Sequence, residues 1–305
     1  MRILLTGAQG QLGTDLLPRL EEQGEVVAVG RAECDLGSVE AIRRLVAETR
    51  PEVIVNTAAY TAVNEAESQS EQAYAINSTA AGTLAAEARK SGAMLVHYST
   101  DYVFDGRKAG AYTESDVPAP LNVYGASKLA GERAVAAAGA RCLVLRTSWV
   151  YGAHGNNFLL TIRRLAHERE ELKIVDDQVG GPTSSRQLAE ATARLIGQCA
   201  SLPEPEFPSG LYHATAGGSV SWCGFARAIV SALGEGETFR LREILGVRSD
   251  EYATAARRPL NSVLCNGKFE RRFGFRLGSW QQGLAEVVRE IRTREAGSGC
   301  DPGAR

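Results

Sequence analysis

Met1-Arg-Ile-Leu-Leu-Thr-Gly7-Ala-Gln-Gly10-Gln-Leu-Gly13 opens the chain, a short apolar run that gives way at once to three spaced glycines. The run reads as a strand and the residues after Gly10 as the start of a helix. Each glycine has a physical task in such a turn. Gly7 permits the tight bend, Gly10 lets the backbone approach a pyrophosphate, and Gly13 lets the helix lie close on the strand. The free N–H groups and positive dipole end of the helix would then receive the anion. Three glycines carry little alone; strand before, helix after and further strand–helix units beyond make this a dinucleotide-binding turn.

Those further units follow. Strands are expected at Ile3–Leu5, Val26–Val29, Val53–Asn56, Met94–Tyr98 and Cys142–Arg146, and helices near Gln11–Gln23, Ser38–Thr49, Ser70–Ser91 and Val123–Ala138. Most of the strands lack polar alternation, as strands covered on both faces do. Strand and helix in alternation predict right-handed crossovers and a Rossmann-like, doubly wound parallel α/β sheet over residues 1–150. Beyond about Ser148 the rhythm loosens. Helical patterns near Phe158–Glu170, Gln187–Ala200, Ser221–Gly234 and Trp280–Arg294 are separated by Gly- and Pro-rich stretches, including Pro203-Glu-Pro-Glu-Phe-Pro208. We expect residues 151–295 to form mainly a smaller substrate-binding lobe with some return to the sheet, and 296–305 to be a disordered tail.

Composition sets the class. The 305 residues suit one large or two modest domains, and 44% apolar with 23% charged residues is ordinary for a soluble globular chain. Thirty-four basic residues against 36 acidic leave a net charge of −2. Nothing in that balance draws nucleic acid or an anionic membrane. Six scattered cysteines (Cys34, Cys142, Cys199, Cys223, Cys265, Cys300) form no Cys-x-x-Cys pair and read as reduced thiols, not metal ligands or disulfides. The opening apolar run is too short for a signal peptide, and no uncharged stretch reaches the ~18 residues of a bilayer span. The expected compartment is the cytoplasm.

Two stretches carry chemistry. The second strand ends Val29-Gly30-Arg31, where many NAD sites place a carboxylate on the ribose. Gly30 would not repel a 2′-phosphate and Arg31 could pair with it, which points to NADPH, with NADH tolerated; Glu33 and Asp35 lie close by. Tyr124-Gly-Ala-Ser-Lys128 puts a phenol and an amine four apart on a helix, hence on one face. A neighbouring ammonium would stabilise phenolate and pull the Tyr pKa down toward working pH. Ser99-Thr100-Asp101 ends the fourth strand at the carboxyl edge, where such sheets bind ligands. The Thr100 hydroxyl could then bond the same carbonyl oxygen as Tyr124.

With these residues in hand the chain resembles the extended short-chain dehydrogenase/reductase superfamily and, within it, the dTDP-4-dehydrorhamnose reductase family. The matching runs are Gly7–Gly13, Asn56–Asn64, His97-Tyr-Ser-Thr-Asp-Tyr-Val-Phe104, Leu121–Glu132, Arg146-Thr-Ser-Trp-Val-Tyr151, Gly155–Phe158, Asp177–Thr183 and Ala256-Arg-Arg-Pro259. The resemblance implies that Tyr124 donates a proton, that Lys128 holds the cofactor ribose, and that Thr100 and Asp101 contact a 4-keto sugar packed by Trp149. It implies Gly10, Gln11 and Leu12 along the pyrophosphate, Asp35 and Leu36 at the adenine, and Ala59, Tyr60 and Thr61 beyond the third strand. Arg257 is the choice for the nucleotide diphosphate, since a guanidinium fork suits phosphate. The implied activity is reduction by NADPH of C4 of dTDP-4-dehydro-6-deoxy-L-mannose to dTDP-L-rhamnose, with a dTDP-sugar and, as a homodimer, a second copy as partners.

Two departures stand out. The run expected as Val-Asp-Lys-Ala-Glu reads Val63-Asn-Glu-Ala-Glu67, and although Asp15 could serve a Mg²⁺ site between subunits, Arg186 stands where another acid is expected, which speaks against a metal. The alternatives are a nucleotide-sugar epimerase or dehydratase on the same scaffold, and a non-catalytic subunit resembling the regulatory subunit of methionine adenosyltransferase.

Overall fold

A computed structural model describes residues 1–251 and 254–298. Six strands, β1 (Arg2–Thr6), β2 (Glu25–Val29), β3 (Val53–Asn56), β4 (Met94–Thr100), β5 (Arg141–Thr147) and β6 (Gly210–His213), form one sheet in the order β6-β5-β4-β3-β1-β2. Every pairing in it is parallel. The reversal of strand order at β1 makes it the doubly wound sheet expected.

The apolar runs explain how the sheet is covered. Ile3, Leu5, Val53, Val55, Met94, Val96, Leu143 and Leu145 point into one core, and Leu4, Ile54, Leu95 and Val144 into the other. The period of two is present, but both phases are apolar because helices lie on both faces. On the first face pack α1 (Gln11–Glu21) and a later helix at Ser185–Cys199; on the second, α2 (Val39–Thr49) and α3 (Ala80–Ser91). Each such side chain, fully buried, contributes roughly 1.5–3 kcal/mol. α1 approaches β1 only because position 13 is glycine, as a Cβ there would stand 2.2 Å from the Gly7 carbonyl oxygen.

The helix expected over 70–91 is interrupted. A short helix at Ser70–Tyr74 runs into a π-turn, Ala75–Thr79, before α3. The turn bulges toward α4 (Val123–Ala137), where Gly131 leaves room for the Asn77 carbonyl. No breaker marks the spot in the sequence, since the cause lies on another helix.

The second half does two things. α5 (Phe158–Glu168), α6 (Ser185–Cys199), α7 (Trp222–Gly234) and α8 (Trp280–Ser298) follow the expected patterns. A third core around Tyr151, Leu159, Phe225 and Trp280 joins α5, α7 and α8, braced by two-stranded ladders such as Glu171–Val175 with Glu243–Val247. Meanwhile α6 and β6 return to the sheet, with Leu188, Leu195 and Tyr212 inside its first core. Residues 296–298, expected in a disordered tail, are the last of α8; residues 299–305 lie outside those described. Cys34, Cys142, Cys199, Cys223 and Cys265 are free thiols, and Cys300 is outside the described residues. Among the described residues no helix is long and apolar enough to cross a membrane.

Candidate active site

The carboxyl ends of β1–β5 open into a cleft of about 870 Å³. Gly7, Gly10, Gln11 and Leu12 line it from the first turn, and Gly30, Arg31, Asp35 and Leu36 from beyond β2. Ala59 and Thr61 follow from beyond β3, Thr100 and Asp101 from the end of β4, Tyr124 and Lys128 from α4, and Trp149 from beyond β5. Three expected residues do not line it. Gly13 lies beneath, where α1 presses on the turn. Tyr60 is buried, its N–H donating to Asn77 and its hydroxyl to Gln69. Arg257 is exposed on the outside.

At one end the cleft offers an open helix start. Gly10 caps α1 without any side-chain bond, so the first N–H groups of α1 face the opening unspent. Gly7 sits at φ +72°, and a Cβ there would meet Ala58 N at 2.7 Å. Gln11 Oε1 is buried without a partner. Orphan donors and a bare backbone make a cradle that fits a dinucleotide pyrophosphate. Beyond β2, the Gly30 N–H donates to Glu33 at 2.7 Å and the Gly37 N–H to Asp35 at 2.8 Å, while Arg31 stands in solvent.

The other end is buried. Asn122 caps α4 by accepting from the Gly125 N–H at 2.8 Å, and Gly125 lets the helix start press on the Tyr102 carbonyl. One turn apart on that helix, Tyr124 and Lys128 line the cleft together with Thr100, and Lys128 Nζ donates to the Tyr98 carbonyl at 2.5 Å. Thr100 Oγ1 also donates to Asp101 at 3.0 Å, and Ser148 reaches the other Asp101 oxygen at 3.1 Å. Burial dominates the titration of all three groups. It pushes the Tyr124 phenol up to about 12, the Thr100 bond only partly opposing it. It lowers the Lys128 ammonium to about 8 and raises the Asp101 carboxyl to about 6. Without a nicotinamide beside it, Tyr124 is governed by desolvation, with the Asp101 carboxylate adding to the rise, and the phenol keeps its proton.

The wall opposite is aromatic. Trp149 adopts φ +46° and lies flat on Trp222, ring centroids 3.5 Å apart and 5° from parallel. Gly180 makes room for it, since a Cβ there would meet Trp149 at 2.5 Å. Trp222 and Tyr102 also line the cleft and were missed. Tyr102 lay inside a quoted run, but nothing local distinguishes Trp222. Of the paired arginines, Arg258 is the one turned inward, bonding Asn64 at 3.1 Å and reaching Tyr102. Asn64, the first departure noted above, is thus the anchor of that segment.

Elsewhere, Asp15, His154 and Glu290 bring ligand-type atoms within 4.8 Å of one another. The Arg294 guanidinium bonds both His154 and Glu290, so these groups already meet a side-chain cation. Arg186 bonds Glu190 on its own helix at 3.2 Å.

Residues 1–293 match the family model described as RmlD substrate binding domain. The dTDP-4-dehydrorhamnose reductase of Burkholderia thailandensis is 46% identical over 295 residues, 95% of this chain and 99% of that protein. The Escherichia coli K12 enzyme of the same name is 41% identical over 301 residues, covering 97% and 100%. The crystal structure of dTDP-4-dehydrorhamnose reductase from Bacillus anthracis in complex with NADP matches with a TM-score of 0.88 at 36% identity, covering 95% of this chain and 99% of that one. A Streptomyces venezuelae dTDP-glucose 4,6-dehydratase, with a TM-score of 0.77 at 21% identity and coverage of 97% and 98%, shares the fold. By sequence and structure together, the chain belongs to the dTDP-4-dehydrorhamnose reductase family of extended short-chain dehydrogenases/reductases.

Proposed function

We propose that this protein is an NADPH-dependent oxidoreductase that reduces the C4 keto group of dTDP-4-dehydro-6-deoxy-L-mannose, giving dTDP-L-rhamnose. Family membership supports the substrate. The observation that carries the chemistry is the corner of the cleft where Tyr124 and Lys128, one helical turn apart on α4, meet Thr100 from the end of β4. When bound, the reduced dinucleotide supplies the hydride. Its pyrophosphate would lie on the start of α1 at Gly10, Gln11 and Leu12, its adenine near Asp35 and Leu36, and its ribose within reach of Lys128. Arg31 would pair with the 2′-phosphate, so that NADPH is preferred and NADH is the weaker donor. Magnesium has no assigned role.

Tyr124 then gives its phenolic proton to the carbonyl oxygen as that oxygen gains charge, and the Thr100 hydroxyl turns its proton from Asp101 to donate a second hydrogen bond to it. A phenol held near 12 stays protonated at neutral pH, so its proton is in place to be given to the oxygen as the alkoxide forms. Lys128 stabilises the phenolate left behind. Asp101 accepts from sugar hydroxyls, and the Trp149–Trp222 wall excludes water from the ring face.

The test is NADPH oxidation with the enzymatically prepared 4-keto sugar against other nucleotide sugars. Turnover confined to the 4-keto dTDP-sugar is expected. Tightly bound NAD after purification, with no net NADPH use, would instead favour an epimerase or dehydratase.

A further inference from the structure

Behind the catalytic corner lies an ion pair that the reaction as written does not use. Arg146 of β5 donates Nε and Nη2 to the two oxygens of Glu132, each at 2.7 Å, and both side chains are buried. Ser99 donates to the same carboxylate at 2.5 Å. The Arg146 guanidinium rests 5.0 Å from the Phe104 ring centroid, which fixes the fork. Glu132 stands one turn beyond Lys128 on α4, and Ser99 lies between Tyr98, whose carbonyl holds Lys128, and Thr100. One carboxylate therefore ties the catalytic helix to the strand ends that carry its partners.

We propose that Glu132 is a positioning residue for the reduction: bonded to Ser99 and Arg146 and one turn from Lys128, it keeps Lys128 and the Ser99–Thr100 strand end in register with Tyr124. The proposal rests on the reductase reading above. Lys128 is faced by neutral His97 and by the Tyr98 carbonyl from β4 and by Glu132 on its own helix, with Arg146 behind Glu132; Asp101, Tyr102 and Tyr124 line the same cleft. Burial drives the ammonium toward neutrality, and the Glu132 charge is what opposes that drive. A pair serving only stability has no need of charge, because buried ion pairs are commonly replaced by apolar groups without loss.

The experiment compares kcat against pH at saturating NADPH for wild type, Glu132→Gln and Glu132→Asp, with NADPH affinity measured alongside. Glu132→Gln is expected to lower kcat at pH 7.5 about tenfold or more and move the basic limb down by about one pH unit, with NADPH affinity changed less than about threefold. Glu132→Asp should return the limb to the wild-type position. Should Glu132→Gln fail to fold, Glu132→Leu/Arg146→Met replaces the pair with apolar side chains and is expected to lower kcat with the limb displaced in the same direction but by less, because the Arg146 charge goes as well. A Glu132→Gln protein, or that double variant, with the wild-type limb and kcat overturns the proposal. Wild-type protein that consumes no NADPH with the 4-keto sugar overturns the reductase reading instead.

Discussion

Lys128, Asp101 and Thr100 are 3%, 2% and 5% exposed, whereas Arg31 and Asp35 at the other end of the same cleft stand in solvent. In the first place a missing partner cannot be replaced by water; in the second it can. Charges at the closed end act through a low effective dielectric and move one another's titration, while those at the rim are screened. The closed end is where bonds change, and the rim is where a cofactor is chosen. Substitutions should therefore cost much at one end and little at the other.

The largest effect belongs to Tyr124→Phe, which removes the acid and leaves the ring. We expect kcat to fall by about 10²–10⁴-fold with NADPH binding, followed by fluorescence, essentially unchanged. Near-normal turnover would erase the distinction between the two ends. Thr100→Val keeps the shape and deletes one donor to the developing alkoxide, for which a loss of about 10²-fold in kcat with little change in KM is expected. A KM effect alone would make Thr100 a contact of the ground state only.

Asp101 sharpens the comparison through stability. Its folded pKa of about 6 lies above the ordinary carboxylate value because burial penalises the charge. The folded chain therefore holds a proton that the unfolded chain releases, so stability from this group is full below about pH 4 and is lost as pH rises through 6. The loss is about 2–3 kcal/mol. Asp101→Asn should melt several degrees above wild type at pH 7.5, with the gap closing near pH 4.5. Parallel melting curves across that range would show that Asp101 is no more desolvated than the rim acids.

The smallest effect is expected at Arg31. An exposed pair contributes about 0.2–1 kcal/mol, so Arg31→Ala should raise KM for NADPH by only about two- to fivefold, less at high salt, without altering KM for NADH. An unchanged NADPH-to-NADH ratio would assign the preference to another group.

The same contrast governs how much of the molecule was legible in its sequence. The strands were readable because both faces of each are covered, which turns Ile3–Leu5 or Val53–Val55 into unbroken apolar runs. The first turn was readable because a backbone that must meet a phosphate admits only glycine. Tyr124 and Lys128 were readable through the helical period. Tyr60, adjacent to two lining residues, was misplaced because its side chain turns to Gln69 and its backbone to Asn77, partners on another element. Arg257 and Arg258 are indistinguishable by type, and only the bond to Asn64 tells which faces in. Trp222 gave no local sign at all, since what singles it out is the ring of Trp149, 73 positions earlier in the chain, lying across it.

By itself the sequence determined the alternation of elements, the phosphate turn and the phenol–amine pair, for these follow from backbone geometry and periodicity over a few residues. Tertiary structure alone decided the π-turn at Ala75–Thr79, that β6 is the segment returning to the sheet edge, the direction in which Tyr124 and Lys128 titrate, and the Glu132–Arg146 clamp. Each of these depends on desolvation or on a partner far away in the chain, and neither quantity exists until the chain has closed on itself.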